Sequence, residues 1–410
     1  MVWMLSAPVY AEDNIEGFAK CLASFEAKSF GQETNQVKVD RELVEVSTQP
    51  SVSSSVGSQA DLLGSNSGRM ATQWNVAVSK SLYSPALSKS LAGYDESIRA
   101  SNENEKAKLA VKSLEKLDTL FQYVSAVESR KLIARQIDRQ SGLSKLLQEL
   151  TRARVGDGAN MLSSDSDLIT LKSKKKEIEV ALNFYEKRLQ QYPFFNAKRL
   201  QDEAERSRFF EFSSDISPLE AINRSEIKAL DRKAKADIYF IQSEKAQWYP
   251  KLDLSIEYSK FLGAYTAGAA DSQLLTGLTL SFPISESYSR TARSSFFRAE
   301  LSRNEILRER ERSNIENEST FEKDSLVDLR RSIDDLSKSL SLLSQARSIL
   351  VKKFSLNKTS YFELSSLDDR MDQISKNMVS KRIDMWRILS KWYLQRISIR
   401  LDSSDPSNCR

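Results

Sequence analysis

The sequence predicts a mainly α fold with a small β part, built from a duplicated unit of one strand hairpin and one long coiled-coil helix hairpin. Three observations carry this. Leu326, Leu329, Ile333, Leu336, Leu340, Leu343 and Leu350 keep a 3–4 spacing that Leu364, Leu367, Met371, Ile374 and Met378 resume. Such a rhythm marks helices packed along a narrow seam. Four short stretches alternate apolar and polar residues with the period of two of a half-buried strand. Finally, Pro250 follows Pro50 by 200 residues, Pro283 follows Pro85 by 198, and Asn357 follows Gly158 by 199. One offset for three kinds of landmark points to an internal duplication.

The first residues, MVWMLSAPVYAED, are apolar and end in Val9-Tyr10-Ala11. Small residues at −3 and −1 resemble a signal-peptidase site after Ala11, so residues 1–11 read as a signal-peptide remnant of an exported protein. An ordinary apolar terminus is the plain alternative. One helix is expected over about 16–46, stopped by Pro50. Strands follow at about 51–63, with Val52 and Val56 among small polar residues, and at about 72–84. In the second, Trp74, Val76, Val78 and Leu82 share one parity. A helix hairpin over about 87–192 has Leu114, Leu117, Phe121 and Val124 in its seam and its tip at 155–165. Gly158 takes the turn position there, because glycine adopts the left-handed backbone that ends a helix. Residues 12–193 thus form the first repeat.

Residues 194–217 read as an aromatic, charged linker with short helices. The second repeat, 218–399, opens with a helix over about 219–248 and continues with strands at about 251–262 and 273–283. Leu252, Leu254, Ile256 and Tyr258 share one strand face, and Leu274, Leu278, Leu280 and Phe282 share the other strand's. A helix hairpin over about 286–398 has its tip at 354–363, where Asn357 takes the turn. Residues 400–410 are a polar tail.

Composition excludes several functions. Histidine is absent, which removes the commonest general base and transition-metal ligand. Lys and Arg alternate with Asp and Glu along helices, and the net charge of +5 is small for 410 residues, so no nucleic-acid footprint is seen. Acidic pairs such as Asp334-Asp335 and Asp368-Asp369 lie on polar helix faces without an apolar pocket, which argues against an enzyme. Cys21 and Cys409 have no metal-type spacing. Two lone cysteines are more often free thiols, and an oxidising compartment leaves a Cys21–Cys409 bridge open as the alternative.

Strands with one apolar and one polar face suit a wall between lipid and water. Trp74, Val76, Val78, Leu252, Leu254, Ile256, Leu278 and Leu280 are the expected lipid-facing residues. Four strands cannot close a barrel, and open edges are not tolerated in lipid, so the strands must be pooled. Three copies give a trimeric 12-stranded β-barrel, continued by an α-helical periplasmic tube. A soluble coiled-coil or periplasmic adaptor protein is the alternative; it explains the heptads but not the strand hairpins.

On these residues the chain resembles the TolC-like outer-membrane factors of efflux pumps and type I secretion systems. The resemblance covers roughly 15–400 and is carried by the proline strand borders and the two tips. Lys353, Phe354, Asn357, Glu363 and Leu364 fit the family's tip pattern, with Asn in place of Gly. Arg154, Gly158 and Leu168 fit it more loosely, with Asp165 one residue late. Asp157-Gly158-Ala159 resembles the form of type I secretion members, so protein secretion is favoured over small-molecule efflux. The resemblance implies a homotrimer in the outer membrane of a Gram-negative bacterium. It also implies a periplasmic adaptor (membrane fusion) protein and an inner-membrane ABC or proton-driven transporter as partners, and neither catalysis nor a cofactor. It makes Asp165, Glu363, Ser164, Phe354, Thr359 and Asp368 the candidates for a periplasmic gate. Phe354 replaces a common tyrosine and Thr359 a common arginine, so a gate held mainly by packing, with weaker polar links between tips, is expected. The same carboxylates are also ordinary helix-start residues.

Overall fold

A computed structural model describes residues 14–27, 32–46, 49–60, 70–152, 158–212, 216–262, 272–281, 287–356 and 358–400. The strands are β1 (Ser51–Ala60), β2 (Met70–Tyr83), β3 (Lys251–Leu262) and β4 (Ser272–Ser281). The helices are α1 (Ile15–Ala27), α2 (Gln32–Val46), α3 (Pro85–Arg152), α4 (Gly158–Leu189), α5 (Ala197–Gln201), α6 (Glu203–Phe209), α7 (Ser225–Ala246), α8 (Ser287–Ser355) and α9 (Tyr361–Arg400). The fold is mainly helical with one small sheet. β1 and β3 each begin one residue after Pro50 and Pro250, and α3 and α8 have 68 and 69 residues. Residues 1–13 and the 401–410 tail lie outside the described residues.

Several expectations are corrected. The single helix over 16–46 is two helices, α1 and α2, because their buried faces differ. α1 buries Ile15, Phe18, Ala19 and Leu22, whereas among the apolar residues of α2 Val39, Leu43 and Val46 are exposed and Val37 and Val44 are only half-buried. The helix expected over 219–248 is a 3₁₀ turn, Ala221–Asn223, followed by α7. Cys21 is disulfide-bonded rather than a free thiol; the sequence's other cysteine, Cys409, lies outside the described residues. The aromatic stretch 194–217 is more than a linker. Phe209 and Phe210 are buried in a core with Phe18, Phe121 and Leu189, and Phe210 stacks on Trp386 at 4.1 Å between ring centroids.

The described residues divide into two compact units. The first is drawn from Met1–Phe30, Lys106–Arg224 and Asn314–Arg410. Its helices adjoin in the order α4–α3–α9–α8. Gln140 of α3 bonds Ser164 of α4, Asp118 of α3 bonds Arg387 of α9, and Glu322 of α8 takes the indole N–H of Trp392 on α9. The predicted seam residues of α8 and α9 are all buried or half-buried along these contacts. What remains outward on the two end helices is apolar in part: Leu162, Ile169 and Val180 on α4, and Phe321, Leu342 and Ile349 on α8.

The second unit comprises Gly31–Glu105 and Ser225–Ser313. Here the helices adjoin in the order α2–α3–α7–α8, through Arg41–Asp95, Arg232–Glu96 and Asn304–Asp237. α3 and α7 approach closely at Gly93, where an added Cβ would lie 2.7 Å from the Phe240 ring. The sheet has the order β1-β2-β3-β4 with all neighbours antiparallel, so β1 and β4 are its edges. Register aligns the apolar parity of all four strands. Val52, Val78, Ile256 and Thr276 form one cross-strand row, and Lys80, Leu254 and Leu278 form another. The parity is corrected at one point: a bulge between Ser81 and Tyr83 puts Tyr83, not Leu82, opposite Leu252. Phe282 lies outside the described residues.

Candidate functional site at the hairpin tips

α9 starts on a serine N-cap. Ser360 sits three residues before Glu363, and its hydroxyl accepts the Glu363 backbone N–H at 3.2 Å. α8 ends with the Lys358 N–H on the Lys353 carbonyl at 2.9 Å, the long-range bond of a Schellman-type helix end. Asn357 itself lies outside the described residues. At the other tip, Gly158 is the first residue of α4, and its backbone is outside the left-handed region. Residues 153–157, which hold that turn, also lie outside the described residues.

Beneath the second tip is an apolar plug. Phe354, Tyr361 and Leu364 are buried against Leu143 and Leu147 of α3. Phe354 is thus an interior side chain, 5% exposed. A polar cluster lies beside the plug. Gln140 donates its amide to the Ser164 hydroxyl at 2.9 Å and to the Tyr361 oxygen at 2.8 Å, and Tyr361 donates to Asp167 at 2.8 Å. Tyr361 is 2% exposed, and burial pushes its phenol pKa up, with Asp167 adding to the rise against the Gln140 bond. It therefore remains a protonated donor at neutral pH. Asp165 accepts from Ser144 at 2.6 Å. It is the eighth residue of α4, beyond the first turn in which the helix dipole favours a carboxylate.

Asp368 is an ion-paired group, not a free carboxylate. Arg347 grips both its oxygens, at 2.6 and 3.2 Å, and Arg139 approaches at 3.8 Å while bonding Asp372. Between α3, α4 and α9, Arg139, Asp368 and Asp372 line a cleft of about 600 Å³ with Asp167, Asp369 and Lys174. Burial and the charges of Asp372, Asp167 and Asp368 push the Asp369 pKa up. Glu363 is exposed and accepts from Thr359.

The structure therefore brings Ser164 and Asp165 onto one α3–α4 seam and pairs Thr359 with Glu363 on the other tip. The linking residues, Gln140, Tyr361, Asp167, Arg139 and Arg347, are absent from the sequence-derived set. Tyr361 has one visible signal, an aromatic at the first position of a helix. Gln140 and Arg139 have none, because polar residues inside a 68-residue helix look like solvated face. Among the described residues no helix is long and apolar enough to cross a membrane, and no group of His, Cys, Asp and Glu is arranged to hold a metal ion.

No protein-family model matches the chain, and no curated protein sequence matches it. Solved structures do. CusC, described for the conformational changes that accompany folding and transmembrane channel formation, is 12% identical with a TM-score of 0.74, over 94% of this chain and 92% of that one. The Campylobacter jejuni CmeC outer membrane channel is 11% identical with a TM-score of 0.69, over 97% of this chain and 88% of that one. The Neisseria gonorrhoeae MtrE outer membrane channel, solved in its open state, is 12% identical with a TM-score of 0.69, over 95% of this chain and 92% of that one. Such low identity with near-complete coverage is a likeness of fold. The chain has the fold of the TolC-like outer-membrane channels.

Proposed function

We propose that three copies of this chain form an outer-membrane channel that serves as the exit duct of a tripartite export system. The observation that carries the reading is the pair of unpartnered edges in each unit. The sheet ends in β1 and β4 with an apolar face turned outward, where Val52, Val56, Leu274 and Leu278 are exposed. The α4–α3–α9–α8 layer ends in two helices with exposed apolar side chains. A sheet edge in lipid must be paired, and the β4 edge of one copy is antiparallel to the β1 edge of the next if the order continues around a ring. Twelve strands then enclose a water-filled lumen. An adaptor protein in the periplasm and an ABC or proton-driven transporter in the inner membrane supply cargo and energy. Type I protein secretion remains the preferred branch on Asp157-Gly158-Ala159 alone, of which Asp157 lies outside the described residues. The hairpin tips form the periplasmic gate, held by the Phe354–Leu364 plug and the Gln140–Tyr361–Asp167 bonds. Native mass measurement of the purified protein in mild detergent tests the reading. Three copies are expected, and a stable monomer or dimer overturns it.

A further inference from the structure

The apolar face of the sheet carries two charges among its described side chains, Lys80 and Lys260. Both are exposed. Register puts them at opposite ends of the apolar band. Lys80 lies opposite Leu254, near the end of the sheet that joins the long helices. Lys260 lies opposite Trp74, six residues further along β3 toward the hairpin loops. The rows between them, Val78–Ile256 and Val76–Tyr258, are uncharged. Each lysine also has an aromatic neighbour of interfacial character. Near Lys80, Tyr83 is 56% exposed opposite Leu252; beside Lys260, Trp74 is 38% exposed and meets Tyr258 edge-on at 6.4 Å.

The spacing fits a bilayer. Six residues of strand span ~20 Å, and a strand tilt near 40° reduces this to ~15 Å along the membrane normal. The apolar band of such a wall is ~25 Å tall. Each lysine backbone therefore lies ~5 Å inside one border of that band, within reach of a four-carbon side chain that keeps its ammonium in the headgroup layer. An ammonium held there faces the phosphates of the lipids and bonds them with charge-assisted hydrogen bonds.

We infer that Lys80 and Lys260 are binding sites for lipid headgroup phosphates, one in each leaflet. The inference rests on the lipid-facing reading of the sheet. Each lysine sets the depth of the strands by holding a phosphate at its border, and the aromatic beside it packs on the upper acyl chain.

The test uses the full-length protein in mild detergent, titrated with phosphatidylglycerol and with diacylglycerol of the same acyl chains, bound lipid being counted by native mass spectrometry. Phosphatidylglycerol should bind more tightly than diacylglycerol. Lys80→Gln and Lys260→Gln should each weaken it about fivefold, the effect of one lysine at a lipid surface. Lys80→Arg and Lys260→Arg should retain it. Unchanged affinity in both glutamine variants overturns the inference, as does loss in the arginine variants, because charge would then not be the determinant. Displacement by millimolar inorganic phosphate also overturns it, since the site would be one for free anions. The underlying reading is tested separately in bilayers of phosphatidylcholine with brominated acyl chains, by the tryptophan fluorescence that Trp74→Phe removes. If the Trp74 component is quenched while the lysine variants bind normally, only the phosphate sites fall. If it is not quenched, the lipid-facing sheet falls with them.

Discussion

The Tyr361 phenol is one of the links between the two hairpins at their tips. Tyr361 accepts from Gln140 on α3 and donates to Asp167 on α4, so its hydroxyl stands between the first hairpin and the start of α9. Tyr361→Phe keeps the ring in its apolar plug and deletes both bonds. Removing them should cost this arrangement of the tips about 1–2 kcal/mol. If the proposed gate is held at these tips, in planar bilayers the variant should open more often than the parent; an unchanged open probability would mean that the plug and the Arg139 ion pairs hold the tips without the phenol. The raised phenol pKa gives the pH sign. The contribution is complete below the ordinary tyrosine range and fades as pH rises through the raised value. A second buried group behaves in the same sense at lower pH. Asp237 is 7% exposed, and burial pushes its pKa up, although Asn304 bonds it at 2.6 Å and Lys233 opposes the rise that Glu300 adds to. Its share of stability is largest when it is protonated and is lost as pH rises through the raised value. Asp237→Asn should therefore raise the melting temperature at pH 7. That gain should shrink as the pH falls toward the ordinary aspartate range, and a gain independent of pH would remove titration of Asp237 as its cause.

The strands make their prediction as elements. If the apolar face meets lipid, Leu254→Arg or Ile256→Arg should cost about 2–4 kcal/mol near the bilayer centre. Ser255→Arg lies on the opposite face, across from Ser79 and Gly277, and should be mild. Urea denaturation in vesicles would separate the two parities, and equal losses would sink the barrel reading. Strands and long helices were legible because their periods are short and local: alternation needs only neighbours, and a seam needs only every third or fourth residue. The bulge at Ser81 and Tyr83 was not legible, because its extra residue exists only relative to the partner strand. Nor was the role of Phe209 and Phe210, whose partners Phe18 and Trp386 lie far away in the chain. α1 and α2 read as one helix because both lack a strong breaker, while burial separates them.

The proposed acidic entrance belongs to the scale of the whole assembly. One chain offers an exposed Glu363 and a half-buried Asp165 on separate tips. Only three copies could turn them into a ring that attracts cations. In single-channel recordings Glu363→Gln should lower cation selectivity and relieve block by multivalent cations from the periplasmic side. Asp165→Asn should do less, because Ser144 already holds that carboxylate. Unchanged selectivity in both single variants and in the double variant would leave Glu363 as a helix-start residue and Asp165 as a partner of Ser144.

By itself the sequence determined the helix seams, the strand parity and the repeat offset, since each is set by spacing along the backbone. It also placed the helix ends close to the two tips, although Gly158 begins α4 outside the left-handed region instead of taking the turn. The tertiary structure alone decided which polar residues meet. Gln140 is 221 residues from Tyr361, Arg139 is 233 from Asp372, and Asp167 is 194 from Tyr361. At those separations a hydrogen bond leaves no periodic trace. A glutamine that joins two hairpins and one that faces water are written alike in the chain, and they differ only in what folding brings within 3 Å.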